Sequence, residues 1–170
     1  MSAALPESVD PWRIVQARRV FEGRLAIDSM PRLREALANG EGGIEYRLEF
    51  GTDEFGVAWL RMQLHGEVAL VCQRTLDVFM LPVAIDQALG LIADEADEAG
   101  LPPPYEALLV EGGQLALKDV IEDELILALP VVALGPGAPI EDVVLASLPE
   151  TAQAAANPFA ALAQLKNPRH

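Results

Sequence analysis

The residues able to do chemistry are few, and they stand far apart. Cys72 is the lone cysteine, in Cys72-Gln73-Arg74-Thr75. It falls on the apolar parity of an alternating segment, which suits a small buried hydrophobe, although Arg74 nearby would favour its thiolate. Thr75 occupies the place where a second closely spaced cysteine would complete half of a zinc site, so no metal site and no cofactor is expected. The two histidines, His65 and His170, and the four serines, Ser2, Ser8, Ser29 and Ser147, form no nucleophile elbow and no triad spacing. Asp94-Glu95-Ala96-Asp97 spells a helicase box, but that box works only beside a phosphate-cradling glycine loop ending in Lys-Ser or Lys-Thr, which this chain lacks. A nucleophile, a base and a stabiliser would have to converge, and this inventory scarcely supplies them. The expectation is a protein that is not an enzyme.

Charge is the stronger signal. The chain has 170 residues, a formal charge of −14 and 51% hydrophobic residues, as in a globular domain. Residues 1–86 hold 9 Arg against 13 acids, whereas residues 87–170 hold 3 cations against 13 acids. Such a C-terminal half repels DNA, phosphate backbones and anionic membranes and attracts basic proteins. Asp94, Glu95, Asp97 and Glu98, followed by Pro102-Pro103-Pro104, read as an exposed acidic loop and a candidate partner-binding segment. In the other direction, Arg13, Arg18, Arg19, Arg24, Arg32 and Arg34 are close in sequence and would suit a local RNA-binding patch. The N-terminus lacks a basic start followed by an apolar run, and no apolar run spans a bilayer; a cytoplasmic protein is expected.

Elements that would position these residues can be read from periodicity. Asp10-Pro11 opens a short helix to about Arg18, followed by a strand through Phe21, Leu25 and Ile27. Ser29 caps a second helix that runs to Asn39-Gly40. Ile44, Tyr46, Leu48 and Phe50, then Leu60, Met62, Leu64, Val68, Leu70 and Cys72, alternate with polar residues and define an antiparallel hairpin, with Gly66 marking a bulge or bend. A third long strand follows from Phe79 to Leu91, with an edge or bulge at Pro82. Ala107–Val110 and Gln114–Leu117 suit a second, shorter hairpin around Glu111-Gly112-Gly113. Asp119 with Glu122 resembles a capping box; Glu122, Asp123 and Glu124 suit a helix N-terminus, and Pro130 stops that helix.

The expected fold class is α+β: a curved antiparallel sheet of about 5–6 strands, short helices at its ends and a C-terminal helical tail. Residues 1–134 would form one domain, 135–156 an Ala/Pro/Gly-rich linker, and 157–170 a short helical motif. In that motif Asn157-Pro158 caps the helix, and Phe159, Leu162 and Leu165 fall on one side. A helix so short is marginal alone, so this apolar side should dock, with a partner's groove the favoured place.

Three stretches together resemble the YceD family of large ribosomal RNA subunit accumulation proteins. They are Val71-Cys72-Gln73-Arg74-Thr75-Leu76 after the hairpin, the Asp119–Pro130 helix with Glu122, Asp123 and Glu124, and Asn157-Pro158-Phe159 through Lys166. Thr75 departs from the family, which commonly has a second cysteine there, and this undercuts the metal binding sometimes suggested for it. The resemblance implies a role in large-subunit biogenesis, affecting 23S rRNA processing or accumulation. With the charge, it favours an accessory factor holding a basic ribosomal protein or a large-subunit assembly factor, with contact to rRNA secondary.

Overall fold

The computed structural model describes residues 5–136. The elements run α1 (Pro11–Gln16), β1 (Val20–Ala26), α2 (Pro31–Glu35), β2 (Gly43–Thr52), β3 (Ala58–Val71), β4 (Val78–Ile92), β5 (Glu106–Leu109) and α3 (Leu117–Ala128). The strands form one sheet in sequence order, β1-β2-β3-β4-β5. The class is α+β, as expected. Among the described residues no helix is long and apolar enough to cross a membrane.

Alternation decides what each face does. Tyr46, Leu48 and Phe50 lie opposite Leu64, Met62 and Leu60, and these pair on with Ile85, Gln87 and Leu89 of β4. This face is buried beneath Val15 of α1, Leu33 of α2, and Val120, Ile121 and Leu125 of α3. Phe21 of β1 meets Phe50 edge to face, with ring centroids 6.2 Å apart. The opposite face carries Glu22, Arg47, Gln63 and Asp86 in one cross-strand row, and it stays open to water. Arg47 pairs there with Glu22 at 2.8 Å, and Arg61 with Asp86 at 2.9 Å. Because successive side chains point to opposite faces, one sheet supports both a dry side and a charged side.

Several local expectations give way to longer-range partners. Asp10 does cap α1, its Oδ1 accepting from the Arg13 amide at 3.2 Å, but the helix ends at Gln16 because Arg18 adopts φ +47°. Ser29 does not cap α2: its hydroxyl donates to the Ala26 carbonyl at 2.7 Å, and Met30 stands at the cap. That helix stops at Glu35, and the Ala38 amide then donates to Ala69 of β3 instead of continuing the helix. No bulge forms at Gly66, which pairs in unbroken register with Val83. A Cβ there would come within 2.7 Å of Ile44 Cδ1 and 3.0 Å of the Gly43 carbonyl oxygen, so glycine answers close approach rather than bending. Pro82 is accommodated on a stretch with one neighbour, since β5 reaches only Leu89–Ile92.

The second hairpin is absent. β5 pairs parallel with β4, which makes the sheet mixed, and Leu115 exchanges two hydrogen bonds with Val9 near the N-terminus. Nor does Asp119 cap α3; that helix starts at Leu117 with Ala116 at the cap, placing Asp119 in its first turn.

Candidate functional site

The Cys72 segment is a tight turn leaving β3. The Leu76 amide donates to the Cys72 carbonyl at 2.9 Å, the Cys72 amide to Asp77 at 2.8 Å, and Leu76 takes φ +63°. The Gln73 amide reaches across to the Ala133 carbonyl at 2.9 Å, so the segment after α3 straps this turn. Cys72 itself is buried. Hydrogen bonds from the Thr75 side chain and from the backbone of Gly135, Thr75 and Arg74 lower its thiol to about 6, against the opposing effect of burial. Thr75 thus stabilises a thiolate where a second cysteine would have offered a ligand. Among the described residues no three His, Cys, Asp or Glu side chains converge as a metal site. Gln73 and Arg74 are exposed.

The acidic run of α3 has a different use. Glu122 is 1% exposed, and its Oε1 accepts the buried Leu33 amide at 3.0 Å. Its Oε2 takes Nε and one terminal nitrogen of Arg32 at 3.3 and 3.2 Å. Arg32 also bonds Asp123 and donates to the Asp119 carbonyl at 3.3 Å. Burial pulls the Arg32 guanidinium down, but Asp123 and then Glu122 outweigh it and raise it. This half of the sequence motif therefore staples α3 to α2. Burial pushes the Glu124 carboxyl up, helped by the charges of Glu106 and Asp123. Pro130 follows the helix, as its lack of an amide proton requires.

Asp94, Glu95, Asp97 and Glu98 all lie in solvent. Asp94 Oδ1 accepts the Ala96 amide at 2.9 Å and starts a short 3₁₀ segment, Glu95–Gly100. The described motif residues are not gathered into one site: Cys72 is in the turn after β3, Glu122 faces α2, and the loop acids follow β4. Asn157, Pro158, Phe159, Leu162, Leu165 and Lys166 lie outside the described residues, as do the linker from residue 137 and the tail.

Of the six N-terminal arginines, Arg32 is tied to Glu122 and Asp123, and Arg34 pairs with Asp28 at 3.2 Å. Arg24 stands on the open sheet face in register with Glu45. Sequence reasoning missed the Arg32–Glu122 contact and a groove on the open face beside Trp59. The available signal for the groove was an indole on the wet parity of β3.

Fold and motifs together define a small α+β domain with one covered and one open sheet face, braced by a buried carboxylate. The chain belongs to the YceD family: the family model described as large ribosomal RNA subunit accumulation protein YceD matches residues 60–166. A relative of that same name from Haemophilus influenzae is 32% identical over 169 residues, spanning 95% of this chain and 96% of its own. No solved structure matches.

Proposed function

We propose that the protein is an accessory factor of large ribosomal subunit biogenesis that supports 23S rRNA processing or accumulation without catalysing a reaction. It works in the cytoplasm and reaches rRNA through a basic ribosomal or assembly protein that it holds. The family name supports the ribosomal role. The observation favouring a protein partner is where the charge lies: Asp94, Glu95, Asp97 and Glu98 are exposed together, while two of the six candidate RNA-binding arginines are already ion-paired. These pairs take two of the six candidate cations from a phosphate backbone, whereas a basic protein meets a concentrated acidic loop.

Affinity capture from cells, with and without nuclease, tests this reading. Nuclease-resistant recovery of basic large-subunit proteins is expected, and a variant lacking residues 157–170 should lose it if the apolar tail docks on the partner. Recovery that vanishes on nuclease treatment would favour direct RNA binding and overturn the ordering.

A further inference from the structure

The open sheet face holds a groove of about 850 Å³, and neither of the two described sequence motifs lines it. Its floor is Trp59 of β3 and Ala88 of β4, together with the Arg61–Asp86 pair. The indole lies across Gly51 of β2, where a Cβ would come within 2.4 Å of a ring carbon, so only glycine lets it lie so low. Asp53, in the turn after β2, and Tyr105 and Glu106, at the start of β5, line its margin, with the Tyr105 phenol hydrogen-bonded to Asp53. The groove is thus framed by four strands and two turns.

Its charge is one-sided once internal pairs are removed. Arg61 meets Asp86 through two parallel hydrogen bonds of 2.9 Å, Nε to Oδ1 and a terminal nitrogen to Oδ2, and Gln63 adds a third at 3.0 Å. That ion pair is neutral as a unit. The other charged groups lining the groove are the carboxylates of Asp53 and Glu106. Asp53 holds its turn by accepting the Phe55 and Val57 amides at 2.9 and 2.8 Å, and Glu106 receives a hydrogen bond from Gln87 on one oxygen. Burial, then the charge and hydrogen bond of Asp53, push the Tyr105 phenol up, so Tyr105 stays a neutral ring at every physiological pH. Two aromatic rings and two carboxylates, without an uncommitted cation, complement a positive group on a flexible apolar stem. A cation over an indole face gains from the ring quadrupole, and adjacent carboxylates add charge-assisted hydrogen bonds. A nucleotide stacked on the same indole would bring its phosphate beside those carboxylates.

We propose that this groove binds an arginine or lysine side chain presented by a basic polypeptide. The inference rests on the protein-partner reading above and gives it a place on the molecule.

Calorimetric titration of the full chain at low salt with a short arginine-rich peptide tests it. The controls are the same peptide with citrulline, the neutral isostere, in place of arginine, and an oligoribonucleotide of similar length. The arginine peptide should bind, the citrulline peptide at least ten-fold more weakly, and Glu106→Gln and Trp59→Leu should each weaken the arginine peptide several-fold. Glu106 is exposed, so the first variant keeps the assay meaningful even if the second disturbs packing. Equal affinity in the parent chain and Glu106→Gln, or equal affinity for both peptides, would overturn the proposal. So would oligoribonucleotide binding that is tighter than the peptide's and lost in Trp59→Leu. Capture from cells separates the two readings: nuclease-resistant partners retained by both variants would sink the groove alone, whereas their absence from the unaltered chain would sink the protein-partner reading.

Discussion

Asp119–Glu124 of α3 and Asp94–Glu98 after β4 are acidic runs of similar density, yet the fold treats them oppositely. In the first, Glu122 is withdrawn from water, and both of its oxygens are satisfied by Leu33 and Arg32. In the second, every carboxylate remains solvated and only Asp94 makes a hydrogen bond, to its own loop. The difference lies in what surrounds each run. A carboxylate at a helix–helix contact loses water and must find donors, whereas one in a short exposed turn keeps its hydration. Clustered acids are therefore structural in one place and available to a partner in the other.

The largest effect that would test this contrast is on stability. Glu122→Ala leaves the buried Leu33 amide without an acceptor and removes the anchor of Arg32, so it should cost about 3 kcal/mol in a denaturant titration. A loss no greater than that of a surface substitution would mean that the staple is incidental.

An intermediate effect concerns association. Replacing Asp94, Glu95, Asp97 and Glu98 with Asn and Gln should slow capture of a basic partner several-fold at low salt and change stability by no more than about 0.5 kcal/mol. Stopped-flow association at several salt concentrations checks it; an unchanged rate would leave the loop as a mere solubilising segment.

The smallest effect lies within α3. Glu124 has its carboxyl raised from the ordinary 4.5, first by burial and then by Glu106 and Asp123. A raised folded value means that protonation favours the native state, so this group's contribution is most favourable below its unfolded value and is lost as the pH rises through its folded value. Glu124→Gln should therefore slightly raise the melting temperature at neutral pH, with the gain disappearing in acid. Opposite signs for Glu122→Ala and Glu124→Gln would sharpen the comparison to single positions. A stability loss in both would dissolve it.

The period-two pattern from Ile44 to Leu91 made the central strands legible, because burial of one face imposes alternation directly on the chain. The edges were harder to read. Leu115 pairs with Val9, and Ala38 bonds to Ala69, so distant partners decided where the hairpin failed and where α2 stopped. Glu122 looked like a helix-end charge, since no local pattern discloses an arginine 90 residues earlier. The groove was hidden for a related reason: Tyr105 comes to Trp59 only through the parallel return of β5.

The long reach of that staple has a consequence for how the chain assembles. β1 to β4 pair with immediate neighbours, so each step from Val20 to Ile92 closes a short loop at modest entropic cost. The Leu33 amide, by contrast, waits for a carboxylate 89 residues downstream. On a ribosome making this protein, α2 would leave the exit tunnel well before its partner. Until Glu122 emerges, α2 lacks its bracing residue, which makes α3 the segment that signals a finished domain.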